Sequence, residues 1–423
     1  MWSFGDSELG GYPLKGSYQV GVKHFLTNKF KNEILVYYPI DKNVFESMKH
    51  EKDKKVYLVD RDHDKYYDNI QGLARVAQIG QAQIFDTPVA IVSSWKHIEL
   101  EVIKNAPLAD DFVKHSVPLL PMIFSHGLSG TNKAYSLQIR DYASHGHIIF
   151  AINHQDGSSA YTFDQNGDKL IFDSRPKIHE LETRQKQLKI RENEALELIQ
   201  EICENISQIK DKLGFNQDVQ IATDHLSISG HSFGGITAVK AASLDKRIKT
   251  VIAYDPWFFP CQQEVLNNKI QLDCAVQIVM TEKFIDFCHE GKFDIWDLTK
   301  KVIDSSPSKQ KECILLKTAY HTDQCDAIWR VPFDIQLFEF RAKYQYDRKD
   351  VYYTSNQIGL HFMAKIHENS QQTYSGKNSQ KVQTKILRYQ REDIERNIGN
   401  KMEKYIKYYH EFQNFKQKNS LFK

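Results

Sequence analysis

Short apolar runs, rich in β-branched and aromatic side chains, recur along the chain. They are Ile34–Ile40, Val89–Trp95, Pro121–Ser125, Ile148–Asn153, Leu226–Ser229, Thr250–Tyr254, Val276–Met280 and Ile314–Thr318. Several are apolar at both alternating positions, the pattern of strands covered on both faces of a mainly parallel sheet. Helix-patterned segments lie between many of them, so the chain reads as α/β with crossover helices. The longest, Lys177–Leu213, sets Ile190, Ala195, Leu198, Ile202, Ile206 and Ile209 three to five residues apart on one face. It predicts a helical excursion packed on the chain's own sheet, in preference to a partner-binding coiled coil. Asn369–Gln383 is polar and reads as a linker. After it, Leu387, Ile394, Ile398, Met402, Tyr405, Tyr409 and Phe412 form a three-and-four stripe that predicts a terminal amphipathic helix. The expected organisation is one α/β domain over 1–365, then a polar linker and a basic helix over 366–423.

Composition narrows the function classes. Of 423 residues, 41% are hydrophobic and 26% charged, enough to fill a sizeable core. Lys and Arg (56) nearly cancel Asp and Glu (54), so the whole molecule is not built to bind nucleic acid. From Ile366 to Lys423, however, 12 basic residues face 6 acidic ones. The six cysteines show no CxxC or other metal spacing and read as free thiols in a reducing compartment. No basic and apolar leader opens the chain, and no apolar run approaches the ~20 residues of a membrane span. The chain reads as cytoplasmic, and no metal or other cofactor is expected.

The candidate chemistry centres on Gly230-His231-Ser232-Phe233-Gly234-Gly235, which fits G-x-S-x-G. A strand-like segment from His225 to Ser229 precedes it and a helix-like one from Ile236 to Ala242 follows, the context of a nucleophile elbow in an α/β-hydrolase fold. A tight strand-to-helix turn projects the serine hydroxyl above the sheet, and flanking glycines avoid collisions with the neighbouring strand and helix. Ser232 is therefore the expected nucleophile.

An acyl-transfer serine needs donors aimed at the developing oxyanion. The backbone N–H of Phe233 supplies one by position. The run Met122–Ser125 enters a His-Gly turn, which assigns the second to the N–H of Leu128. His126 precedes the serine and is expected to shape that loop. The base should lie late in the chain just past a strand, which selects His321 over His289, His361, His367 and His410. For the acid, position alone leaves Asp255, after Thr250–Tyr254, level with Glu282 or Asp286 after Val276–Met280.

Together these residues resemble the platelet-activating factor acetylhydrolases, the calcium-independent phospholipase A2 family with plasma and intracellular type II members. The likeness runs from about Gly16 to about Ile366. Its most specific blocks are Phe124–Leu128, Tyr142–Gly146 and Gly230–Gly235, with weaker support from Ala253–Trp257, Gly16–Gly21 and Val36–Pro39. The resemblance favours Asp255 as the acid, because the family carries it in an Asp-x-Trp context matched here by Asp255 and Trp257. It implies metal-independent hydrolysis of short or oxidised sn-2 acyl chains from phospholipids, with a general carboxylesterase acting on soluble short-chain esters as the alternative. The sequence departs from the family after the histidine, where Thr322-Asp323-Gln324-Cys325-Asp326 stands in place of Gln-Asn-Phe, and at Pro256. Family members meet lipid through apolar surface helices. The corresponding stretch here is Ala327–Phe338, and the basic terminal helix is a second expected contact with anionic lipid.

Overall fold

The structure, a computed structural model, describes residues 14–59, 97–173, 179–290, 293–326, 348–371 and 406–408. Its strands are β1 (Gln19–Leu26), β2 (Glu33–Ile40), β3 (Ile103–Lys104), β4 (Leu120–Ser125), β5 (His147–Ile152), β6 (Tyr161–Phe163), β7 (Lys169–Ile171), β8 (Ser227–His231), β9 (Thr250–Tyr254), β10 (Ala275–Thr281), β11 (Lys311–Leu316) and β12 (Ile406–Tyr408). β6 and β7 form a separate hairpin, and the other strands make one sheet in the order β12-β11-β10-β9-β8-β4-β5-β2-β1-β3. The block from β5 to β11 is parallel throughout, whereas β2 runs antiparallel to both β5 and β1. A parallel block entered through an antiparallel β2, with β4 and β5 exchanged in order, is the topology of an α/β-hydrolase.

The helices that matter here are α1 (Ser136–Ser144), α2 (Leu181–Glu204), α3 (Ile206–Leu213), α4 (Phe233–Leu244), α5 (Glu282–Glu290), α6 (Ile295–Ser305) and α7 (Arg348–Gln371). Alternation along the strands builds a core on each face of the sheet. Ile123, Ile228, Val251 and Ile278 point to the layer of α2, α4 and α6. Met122, Ile252, Val279 and Ile314 point to the layer of α1 and α7, where Tyr142, Val351, Ile358 and Phe362 meet them.

Seven of the eight expected strands are present as β2, β4, β5, β8, β9, β10 and β11. Val89–Trp95 lies outside the described residues. The excursion is two helices rather than one, breaking at Asn205, whose φ of −126° leaves the helical region. Ala195, Leu198, Ile202 and Ile209 are buried on the chain's own core as expected, but Ile190 is exposed and does not belong to that face.

The terminal segment needs correction. Residues 406–408, inside the expected helix, form β12 and pair antiparallel with β11. Ile406-Lys407-Tyr408 alternates apolar, polar and aromatic, and the free edge of β11 offers the hydrogen-bond partners that decide between the two periodicities. Helix α7 also runs through the 365/366 boundary, and β12 extends the main sheet. The rest of that terminal segment, with the stretch 327–338, lies outside the described residues.

Candidate active site

The site is assembled at the carboxyl ends of β4, β8, β9 and β11, where an open parallel sheet presents its ligand crevice. Ser232 sits between β8 and α4 with φ +58° and ψ −118°. That conformation costs a non-glycine residue about 1–3 kcal/mol and persists only where the surroundings enforce it. The Ser232 N–H donates to the Tyr254 carbonyl at 2.8 Å, and the Ser232 carbonyl accepts from the Trp257 and Ile236 amides at 3.0 and 3.1 Å. The flanking glycines are required by close approach. A Cβ on Gly230 would lie 2.4 Å from the Gly234 carbonyl oxygen, and one on Gly234 only 1.9 Å from that of Ser125. The motif is thus a contact between three backbones that a side chain would prise apart.

Asp255 follows β9, again at positive φ (+43°), with its amide held by the Val279 carbonyl at 2.8 Å. Its side chain is fully buried. Oδ1 accepts from the Thr281 amide and Oδ2 from the Thr281 hydroxyl, both at 2.6 Å, and Oδ2 lies 3.0 Å from His321 Nδ1. Burial raises this carboxyl above the ordinary range, while His231 and the Thr281 hydrogen bonds act against the rise. The ring of His321, on the turn after β11, stacks on Phe284 with centroids 3.9 Å apart and faces His231 at 4.4 Å on a tilted approach. Burial lowers this imidazole below its ordinary value, which favours the neutral, proton-accepting form near neutral pH. The competing carboxylates are engaged elsewhere: Glu282 accepts from the Thr318 amide, and Asp286 pairs with Lys283.

The loop after β4 closes against the elbow. A Cβ on Gly127 would stand 3.3 Å from the Ser232 Cβ and 2.8 Å from the Tyr135 hydroxyl. His126 shapes this loop: Nδ1 bonds the Gly127 carbonyl at 2.8 Å, and Nε2 accepts from the His154 amide at 3.2 Å. Leu128 follows directly, and Phe233 begins α4, so both expected donor amides belong to backbone that borders Ser232.

Residues that sequence reasoning did not single out complete the surroundings. Thr281 holds Asp255, Phe284 covers His321, and Tyr135 bridges His231 Nδ1 at 2.8 Å and the Gly127 amide at 3.2 Å. Arg191, on α2, reaches the loop after β4. Only Phe284 carried a local signal, as an apolar residue one turn into the helix after β10; the others act through long-range pairings. Among the described residues, His231, Asp255 and His321 are the group whose ligating atoms come within 4.8 Å of one another. His231 Nδ1 is already taken by Tyr135, and the Asp255 oxygens by Thr281 and His321. The six cysteines are free thiols.

Known proteins resemble this chain in sequence and in fold. The chain is 31% identical over 241 residues to the platelet-activating factor acetylhydrolase of Canis lupus familiaris, covering 52% of this chain and 50% of that protein. It is 27% identical over 261 residues to that of Bos taurus, covering 58% of this chain and 56% of the relative. The chain thus spans about half the length of the curated relatives it matches. A ferulic acid esterase from Streptomyces cinnamoneus superposes with a TM-score of 0.51 at 13% identity, covering 84% of this chain and 92% of its own, a likeness of fold. The family model described as platelet-activating factor acetylhydrolase, isoform II, matches residues 6–386, a span that takes in the elbow, the buried acid and the stacked imidazole. The chain belongs to the platelet-activating factor acetylhydrolase isoform II family.

Proposed function

We propose that this chain is a serine esterase that removes short or oxidised sn-2 acyl chains from phospholipids, in the manner of a 1-alkyl-2-acetylglycerophosphocholine esterase. The observation that carries the reading is the 3.0 Å approach of His321 Nδ1 to a buried Asp255 beside a strained Ser232. Family membership and an esterase fold neighbour support the same class.

In this reading His321 Nε2 accepts the Ser232 proton as Oγ attacks the ester carbonyl. Asp255 holds Nδ1–H, so the lone pair of Nε2 faces the serine, and it stabilises the imidazolium that forms. The amides of Leu128 and Phe233 bind the oxyanion. The imidazolium returns its proton to the departing lysolipid oxygen, and water then hydrolyses the acyl-enzyme by the same exchange in reverse. A fluorophosphonate probe should label the native protein and not Ser232→Ala; equal labelling of the two would end the proposal. Hydrolysis rates against sn-2 chain length separate the phospholipase from a carboxylesterase of soluble esters. Rates should fall beyond short or oxidised chains, and equal rates on long saturated chains would overturn the substrate assignment.

Contact with a lipid surface through 327–338 and the basic terminal segment is part of the proposal, supported by their apolar and basic composition. Changing Lys401, Lys404, Lys416 and Lys418 to glutamine should weaken sedimentation with anionic liposomes; unchanged sedimentation removes the terminal segment from this role. The free thiols support a cytoplasmic setting.

A further inference from the structure

Arg191 is fully buried on α2, a helix that otherwise contributes nothing to the reacting groups. Its guanidinium has a defined set of partners. Nε donates to Asp156 Oδ2 at 2.8 Å and to the Ser158 hydroxyl at 3.1 Å, and Nη2 also reaches that hydroxyl. Nη1 donates to the His126 carbonyl at 2.7 Å, one residue before the Gly127-Leu128 turn. The guanidinium carbon lies 4.4 Å from the centroid of the Phe233 ring. Asp156 is itself anchored by the Ser158 amide at 3.1 Å and hydroxyl at 2.5 Å, and the Ser158 carbonyl accepts from the Ser129 amide at 2.6 Å. One side chain therefore touches the backbone two residues before one expected oxyanion donor and the ring of the residue that supplies the other, and its counter-ion lies on the loop that holds the far end of the turn.

We infer that Arg191 is a positioning residue for the oxyanion hole, fixing the spacing between the Leu128 and Phe233 amides by clamping the His126 carbonyl and the Phe233 ring together. This rests on the esterase reading of Ser232. A planar, multiply donating guanidinium suits the task, since it can hold the carbonyl and the carboxylate through its N–H groups while its carbon lies over the ring, whereas a lysine ammonium is a point charge without that fixed fork. Two amides aimed at a developing charge lose their advantage when their spacing slackens, and removing one such donor elsewhere costs about 10²–10³ in turnover. Loss of the clamp should cost part of that.

The test uses the full chain with p-nitrophenyl acetate as substrate and an alkyl trifluoromethyl ketone as a mimic of the tetrahedral adduct. Removing Arg191 alone strands the Asp156 charge, so Arg191→Lys is paired with the double change Asp156→Asn, Arg191→Gln, which leaves a neutral hydrogen-bonding pair. Expected in both is a fall in kcat of roughly 10–100-fold, a matching loss of trifluoromethyl ketone affinity, and KM within about threefold, as for a contact realised in the transition state. The acid limb of the pH profile should stay where it is, because His321 is untouched. Unchanged kcat in either folded variant, or a fall in kcat without loss of ketone affinity, overturns the inference. Wild-type turnover that survives Ser232→Ala would instead remove the esterase reading beneath it.

Discussion

Among the described residues, two constellations of serine, histidine and carboxylate border the loop after β4, and they differ in burial. At the elbow, His321 meets Asp255 at 3.0 Å with 29% of the imidazole exposed. Behind the loop after β4, the Ser125 hydroxyl lies 2.8 Å from His154 Nε2, and His154 Nδ1 lies 2.6 Å from Glu194. By hydrogen-bond geometry the second is the better formed. Its serine and histidine are fully buried, and Glu194 nearly so. Ser125 also ends a regular strand, whereas Ser232 is thrust out of its strand at positive φ. The buried trio satisfies its own polar groups and braces the loop beside the elbow; at the elbow Ser232 and Asp255 are also buried, and the imidazole of His321 is the part left partly exposed. What separates the two serines is backbone projection, the strained turn at Ser232 against the regular strand end at Ser125.

The comparison can be broken most forcefully at Asp255. Asp255→Asn should lower kcat by about 10⁴ with the fold intact, because the amide favours the wrong histidine tautomer. A loss under tenfold on p-nitrophenyl acetate would mean that this carboxylate does not orient the base. Gly234→Ala is the next largest, since its methyl would be driven to 1.9 Å from the Ser125 carbonyl. A destabilisation of about 3 kcal/mol or more, of the size seen for severe core strain, is expected in urea denaturation. Tolerance of the alanine at wild-type stability and activity would contradict the three-backbone contact.

The same cut at the buried trio should have the opposite character. Ser125→Ala leaves His154 Nε2 without its partner and should cost about 1–3 kcal/mol of stability, while fluorophosphonate labelling of Ser232 proceeds at close to the wild-type rate. If labelling disappeared in a folded protein, the division between the two constellations would fail.

Smaller effects are readable in pH. Lowering of His321 by burial places the acid limb of kcat/KM below about 6.5, since activity requires the neutral ring and protonation is delayed to lower pH. A limb centred above that value would show the ring stabilised as imidazolium instead. His147 and His367, buried with centroids 6.1 Å apart, are both lowered to about 3, chiefly by burial. Unfolded imidazoles take up protons near pH 6.5 and these rings do not, so their contribution is complete above that pH and is lost as pH falls towards 3. Thermal melts of His147→Phe should therefore depend less steeply on pH between 6.5 and 4 than those of the wild type; parallel curves would refute the assignment.

How much was legible in the chain depended on whether a signal was local. The elbow could be read because strand, glycine-flanked serine and helix are contiguous, and seven strands followed from unbroken apolar runs. Strand β1 escaped, since Lys23 and His24 interrupt Gln19–Leu26 and leave no continuous apolar run. The terminal stripe was misread because a three-residue strand leaves almost no periodic trace beside a helical pattern, and its pairing partner lies about ninety positions upstream.

The sequence by itself determined an α/β-hydrolase with Ser232 at its elbow and His321 past a late strand, because those features are written in residues adjacent to one another. It left Asp255, Glu282 and Asp286 level on position. The resemblance favoured Asp255, and the tertiary structure adds a physical reason, burying Asp255 under Thr281 within 3.0 Å of the ring and turning the other two to different partners. Likewise only folding showed that Arg191 meets the loop of His126 and that Ser125 meets His154. Hydrogen bonds between residues tens of positions apart depend on register and layer packing, and neither is encoded in the spacing of letters along the chain.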